Sequence, residues 1–249
     1  MVKLDMSKYL IVTISIFLLP VFCFAENARD IVEKTYNYMR GDTSVGVVEM
    51  LIHRPDFERH FALKAWSKGR SEGLFLIIRP KMDKGNGTLK KGRRMWTYNP
   101  SINRVIKLPP SMMGQSWMGS DFSNNDLSKT ESMIDDYNHK LISSKDSIYI
   151  VESIPKEGAA VVWGKIVMTI RKDGILLGQR FFDQDMIAVK ELRTSKIEMI
   201  STKPFPMVWT MTNLEEEDRF TRLVYQELQF DIQLSDNIFT TTYMKSEGR

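Results

Sequence analysis

Hydrophobic positions change their spacing after residue 41. In residues 27–40, apolar side chains such as Ile31 and Met39 recur at helical spacing; Asn27 is placed to cap a helix and Gly41 to end it. The pattern predicts one short amphipathic helix. Beyond it, short β-branched and aromatic runs alternate with turn residues every 8–12 positions or so, which favours an antiparallel meander over βαβ units. We predict about eleven strands, at residues 43–52, 58–67, 72–79, 93–98, 104–108, 147–154, 165–172, 175–182, 186–200, 207–214 and 220–230.

Residues 109–140 interrupt this rhythm. The segment begins with Pro109 and Pro110 and is rich in Ser, Asn and Gly, which predicts a long loop with a short helix near residues 126–137. A loop of about 30 residues within a compact domain is usually functional or disordered. Large apolar side chains argue against disorder here, namely Met112, Met113, Trp117, Met118 and Phe122.

Several predicted strands are apolar on both faces, as residues 74–78 and 148–151 show. A strand with one solvated face alternates polar and apolar positions, so each face of these strands must cover something. One face can pack on helices while the other either fills a core or lines a cavity, and both alternatives remain open. The sixteen methionines favour a cavity slightly, because Met adapts to variable apolar shapes.

Composition narrows the class of protein. The chain has 249 residues and a net charge of +4, with 35 basic and 31 acidic residues and no long basic block. A nucleic-acid-binding surface needs clustered Lys and Arg, so we expect no nucleic-acid partner. The content of 43% hydrophobic and 27% charged residues is typical of a globular protein.

Residues 1–25 have the pattern of a cleaved signal peptide. Lys3 and Lys8 precede an apolar run, and Cys23-Phe24-Ala25 places small residues at −3 and −1 of a cut before Glu26. An uncleaved anchor helix and a lipoprotein acylated at Cys23 are the alternatives, although the bulky Phe22 before Cys23 fits acylation poorly. Cleavage would remove the only cysteine, and a secreted chain without thiols suits a bacterial periplasm. We expect residues 26–249 to form a single domain.

Catalytic and metal-binding patterns are not found in the sequence. His53, His60 and His139 do not have metal-ligand spacing, and no nucleophile elbow, P-loop or dinucleotide fingerprint occurs. Asp121 and Asp126 could form a carboxylate pair, but an Asp beside Ser120 in a loop more often caps the local backbone. We therefore expect no enzymatic activity, no metal and no cofactor.

One string of residues resembles a known family. The segments 96–100 (Trp-Thr-Tyr-Asn-Pro), 115–122 (Gln-Ser-Trp-Met-Gly-Ser-Asp-Phe) and 126–127, together with Arg104, resemble the outer-membrane lipoprotein-sorting (LolA-like) family. Within it, the chain is most similar to the periplasmic branch associated with resistance-nodulation-division (RND) or ABC-type exporters. Weaker similarity continues through residues 178–180 and 196–198 to 234–240.

The resemblance implies an α+β, mainly β fold: an incomplete antiparallel barrel, LolA/LppX-like, closed by short helices. It also implies a monomeric periplasmic carrier that binds acyl chains of a lipid or lipoprotein and works with an inner-membrane transporter of the RND or ABC type. The alternative is an accessory or sensor domain of the same fold that docks on a transporter through an exposed patch near residues 112–122.

The sequence predicts seven ligand-binding residues and one motif turn. The residues expected to line the cavity or its lid are Trp96, Tyr98, Met112, Met113, Trp117, Met118 and Phe122. The motif turn is Gly119-Ser120-Asp121. For Trp96 and Tyr98 a plain core position is the competing interpretation, and for the turn it is a purely structural role in holding the loop.

Overall fold

The structure, a computed structural model, describes residues 27–128 and 130–248. The predicted signal peptide lies outside the described residues. The described residues form four α-helices: α1 (Ala28–Arg40), α2 (Asn124–Ser128), α3 (Thr130–Asp135) and α4 (Thr241–Glu247). Two 3-10 helices cover Pro110–Met112 and Asp236–Phe239. Among the residues described, no helix is both long enough and apolar enough to cross a membrane.

Thirteen strands form the sheet of the described chain. They are β1 (Thr43–Arg54), β2 (Phe57–Lys68), β3 (Glu72–Arg79), β4 (Gly87–Lys91), β5 (Arg94–Asn99), β6 (Arg104–Lys107), β7 (Tyr137–Lys145), β8 (Ile148–Pro155), β9 (Lys165–Arg171), β10 (Leu176–Phe182), β11 (Ala188–Ile200), β12 (Lys203–Asn213) and β13 (Phe220–Phe230).

The strand order explains how the sheet is connected. It runs β6-β5-β4-β3-β2-β1-β13-β12-β11-β10-β9-β8-β7, with every neighbouring pair antiparallel. Strands β6 and β7 are therefore the two opposite edges, although they follow each other in sequence. Residues 108–136 join these edges and must cross one face of the sheet, and we call them the crossing segment. The sheet is open, so the incomplete barrel implied by the sequence is confirmed.

Helix α1 packs on the same face as the crossing segment. Its N-terminus is capped as predicted, since the Asn27 side chain accepts a hydrogen bond from Arg29 N at 3.0 Å. The helix buries Ile31, Val32 and Met39 against inward-facing residues of most strands. These side chains form the larger hydrophobic core of the protein, which we call the main core. A hydrophobic stripe of this kind gains most of its stability from burial, because an isolated 13-residue helix is marginal in water.

The outer face of β2–β5 carries a second core. It contains Trp66, Leu74, Leu76, Leu89 and Tyr98, covered by Phe239 and Met244 of the C-terminal helices. This second core explains the unbroken apolar run at residues 74–78, because Phe75 and Ile77 face the main core while Leu74 and Leu76 face the second one.

Two strands were missed by the sequence analysis, which predicted eleven. Strand β4 is only five residues long and contains two lysines, of which Lys90 is buried and donates to Arg70 O at 2.6 Å. Strand β7 is a mostly polar edge strand in which only Tyr137 is buried and half-buried positions then alternate with exposed ones. The helix predicted at residues 126–137 is instead two short helices, α2 and α3, and Tyr137 already begins β7.

Candidate functional site: a cavity between helix α1 and the sheet

A cavity of about 290 Å³ lies between α1, the segment 122–133 and the inner face of the sheet. We call it the central cavity. Its volume is close to the lower limit of small-molecule sites, about 300–1,000 Å³. Its walls are mainly apolar and come from α1, α2 and strands on both sides of the β1–β13 pairing. The side chains that define it include Met39, Phe75, Phe122, Leu127, Trp163, Phe181, Phe205, Trp209, Met211, Leu223, Tyr225, Leu228 and Phe230.

Strands β12 and β13 supply an aromatic wall. The ring of Phe205 lies 5.3 Å from Tyr225 and 5.4 Å from Phe230, both in edge-on orientations, and 6.1 Å from Trp209. A bulge at Gln226 shifts the inward-facing register of β13, so that Tyr225 and then Leu228 face the cavity. Burial raises the pKa of the Tyr225 hydroxyl to about 12, which keeps this wall uncharged at neutral pH.

Helix α1 brings hydroxyl groups to the opposite side of the cavity. The Tyr36 hydroxyl accepts a hydrogen bond from Gln179 Nε2 at 2.7 Å, and both residues line the cavity. Burial raises the pKa of Tyr36, so the phenol keeps its proton. Thr35, the preceding residue, is only 1% exposed and also lines the cavity.

A buried ion pair attaches α2 to the sheet. Lys190 Nζ of β11 lies 2.6 Å from Asp126 Oδ2, and the two side chains are 9% and 13% exposed. The same ammonium group lies 4.5 Å from the centre of the Trp163 ring and 5.0 Å from that of Phe181. Asp126 also accepts from Ser123 N at 2.7 Å. The pair therefore fixes the helix that closes one side of the central cavity.

The motif turn is anchored to the rim of the sheet rather than to the cavity. Asp121, with a side chain 3% exposed, accepts from Arg54 Nη1 and Arg219 Nε at 3.0 Å each and from Thr221 Oγ1 at 2.7 Å. Arg54 also donates to Gly119 O at 2.9 Å. Ser120 is fully buried, and its hydroxyl donates to Trp117 O at 2.6 Å. None of the three turn residues lines the central cavity.

Of the seven predicted ligand-binding residues, only Phe122 lines the central cavity. Four others meet at a second cavity of about 250 Å³ between the crossing segment and strands β4 and β5; they are Tyr98, Met112, Trp117 and Met118. Trp117 is fixed there by its indole N–H, which donates to Thr88 Oγ1 at 3.1 Å. Trp96 packs against the second core, and Met113 lines neither cavity. The ligand-binding role of all seven stays a prediction.

The sequence analysis missed most of the central cavity. Its residues on β12 and β13 follow a period of two, as Phe205, Trp209 and Met211 do, and this signal was available in the sequence. The contribution of Thr35 and Tyr36 to the cavity could not be predicted from the sequence, because it depends on how α1 is rotated against the sheet. In the described part of the chain, no group of three His, Cys, Asp or Glu side chains could hold a metal ion.

An open antiparallel sheet folded over one helix, with an apolar cavity between them, defines the LolA-like class of folds. A family model described as "-like: Uncharacterized protein" matches residues 69–246, more than half of the chain, and the chain belongs to that family. No curated protein matches the sequence.

Three solved structures share the fold along nearly their whole length. A DUF1329 family protein from Desulfovibrio piger is 25% identical, with a TM-score of 0.78 over 87% of this chain and 97% of that one. A putative outer membrane lipoprotein-sorting protein domain from Vibrio parahaemolyticus is 21% identical, with a TM-score of 0.77 over 88% and 98%. A LolA superfamily protein from Nitrosomonas europaea is 22% identical, with a TM-score of 0.72 over 88% and 100%. The LolA-like resemblance seen in the sequence is confirmed.

Proposed function

We propose that the chain is a carrier that binds acyl chains of a lipid or lipoprotein in the central cavity. The observation that carries the proposal is the cavity itself, whose walls are mainly aliphatic, aromatic and methionine side chains. Each buried methylene group contributes about 0.8 kcal/mol, so one acyl chain supplies roughly 10 kcal/mol before the costs of ordering. Affinity of this kind needs no catalytic group.

The proposal extends to the setting of the protein. Residues 1–25 act as a cleaved signal peptide, and residues 26–249 form one lipid-binding domain in the periplasm. The carrier moves its cargo towards the outer membrane and works with an inner-membrane transporter of the RND or ABC type. The Vibrio parahaemolyticus neighbour, named as a putative outer membrane lipoprotein-sorting protein domain, supports this setting.

The alternative, a docking domain without cargo, requires an exposed apolar patch near residues 112–122 and a filled interior. In the structure Trp117 and Phe122 are 4% and 8% exposed, and Met112 is 37% exposed. The interior holds the central cavity instead of a filled core. These observations favour the carrier.

The test is to identify bound lipid by native mass spectrometry after gentle purification from a bacterial periplasm. We expect a stoichiometric lipid that is lost in Ala65→Phe, because Ala65 lines the central cavity and the added ring fills it. Ala188→Phe is the matched control, since Ala188 is half-buried on β11 and does not line the cavity. A lipid-free protein that also fails to take up a fluorescent fatty acid would favour the docking domain.

A further inference from the structure

One buried hydroxyl in the central cavity has no partner. Thr35 is 1% exposed, and its Oγ1 makes no hydrogen bond to any of the described residues. A threonine inside a helix can donate to the backbone carbonyl three or four residues earlier, and Thr35 does not do so. A buried polar group without a hydrogen-bond partner lowers the stability of the folded protein. A hydroxyl of this kind at a cavity wall therefore indicates that a ligand supplies the missing acceptor.

The hydroxyl of the next residue, Tyr36, also has an O–H group that is available to donate a hydrogen bond. Tyr36 uses its oxygen to accept from Gln179 Nε2, so the O–H bond is left to donate. Gln179 is itself only 6% exposed and holds the phenol in place from β10. Two adjacent residues of α1 thus contribute hydroxyl donors to a cavity whose walls are otherwise mainly apolar.

We infer that the cavity selects a ligand whose apolar chain carries an uncharged hydrogen-bond acceptor, the carbonyl of an acyl ester, and that Thr35 and Tyr36 recognise it. This inference rests on the proposed function and specifies its ligand. A plain hydrocarbon would leave the O–H groups of both residues without an acceptor from the ligand.

Two charges near the cavity decide between an ester and a free carboxylate. Burial, and to a smaller extent the Asp126 carboxylate, raise the pKa of Tyr36; Lys190 already pairs with that carboxylate, so a further negative charge beside the phenol is less favourable than an uncharged acceptor. Arg40 also lines the cavity, but it lies five residues beyond Thr35, about 7.5 Å along the helix axis. A carboxylate held by Arg40 would leave Thr35 unsatisfied.

The experiment uses tryptophan fluorescence, because Trp163 and Trp209 line the cavity and bromine quenches indole emission on contact. The probes are methyl 9,10-dibromostearate, 9,10-dibromooctadecane and 9,10-dibromostearic acid, which share chain length and bromine positions. We expect the ester to bind more tightly than the hydrocarbon. Thr35→Val, which keeps the side-chain shape, should weaken ester binding roughly five- to thirty-fold and leave hydrocarbon binding unchanged.

Two further variants separate recognition from damage to the fold. Thr35→Ser retains the hydroxyl and should restore the preference for the ester. Tyr38→Phe is the matched control on the same helix, because the Tyr38 hydroxyl donates to Pro204 O at 2.7 Å and Tyr38 does not line the cavity. It should leave the ratio of ester to hydrocarbon affinity unchanged.

The failures of the inference and of the proposed function differ. If none of the probes quenches, the carrier proposal and the inference are both overturned. If ester and hydrocarbon bind equally and Thr35→Val alters neither, the carrier proposal stands and the inference is wrong, with water as the partner of the hydroxyl. Tighter binding of the free acid, insensitive to Thr35→Val, would also overturn the inference.

Discussion

At the scale of single residues, Asp121 has the densest set of polar contacts around the motif turn. Its carboxylate accepts from Arg54, Arg219 and Thr221, and its backbone N–H donates to Thr221 Oγ1 at 3.0 Å. The Arg54 side chain is only 10% exposed, so removal of the carboxylate leaves a nearly buried guanidinium without its counter-charge. A buried pair broken on one side typically costs more than the intact pair contributes.

We expect Asp121→Ala to lower the free energy of unfolding by about 3–5 kcal/mol, measured by urea denaturation. The control is Asp236→Ala, which removes a solvent-exposed ion pair with Lys68 and should therefore have a much smaller effect on stability. Unchanged stability of Asp121→Ala combined with lost lipid binding would show that the turn acts on the ligand rather than on the fold.

At the scale of elements, the crossing segment closes the concave side because the chain has to return from one sheet edge to the other. Two of its anchors differ in kind. The motif turn is held at the rim by two arginines, whereas α2 is attached to the sheet by the Lys190–Asp126 pair. The second anchor is the one beside the central cavity, so it controls how readily α2 moves away from the sheet.

Lys190→Met should speed amide hydrogen exchange in α2 roughly ten-fold, which corresponds to about 1.4 kcal/mol of lost local stability. The physical reason is that Asp126 keeps a nearly buried charge without its partner. Arg180→Met serves as the control, since Arg180 on the neighbouring strand makes a more exposed ion pair with Glu191. Equal exchange in wild type and Lys190→Met would mean that α2 is held by its other contacts, among them the hydrogen bonds from Asn124 N to Gln115 O and from Asn125 N to Met113 O.

At the scale of the whole molecule, two hydrophobic cores lie on opposite faces of one sheet. The main core contains α1 and surrounds the central cavity, and the second core is sealed by the C-terminal helices. Met244 is fully buried in the second core and packs over Gly87, where an added Cβ would lie 2.9 Å from Met244 Cγ. Stability and ligand binding are therefore expected to depend on different faces.

Met244→Ala should lower the free energy of unfolding by about 2–5 kcal/mol, because it leaves a cavity in a packed core. Ligand affinity measured on the folded protein should stay unchanged. Met199→Ala is the matched control, since Met199 is 62% exposed and its removal should change stability by less than about 0.5 kcal/mol. A loss as small as that of the control would show that the C-terminal helices do not seal the outer face in solution.

Local signals in the sequence predicted several elements well. Helix α1, with its cap at Asn27, and eleven strands of the meander follow from short-range patterns that tertiary contacts do not override. Strand β4 was not predicted because a lysine indicates an exposed position. Lys90 is buried only because it donates to Arg70 O, a contact between residues twenty positions apart. The edge strand β7 was missed because most of its outward positions are polar.

The sequence by itself determined the antiparallel β class, the capped helix and the unusual segment between β6 and β7. Periodicity and turn chemistry act over a few residues, so they are readable without the fold. Only the tertiary structure decided that this segment joins opposite sheet edges, that its aromatics divide between two cavities, and that Thr35 and Tyr36 meet the walls of β12 and β13. These facts depend on the pairing of β1 with β13 and on the rotation of α1, which are set by contacts between residues distant in sequence.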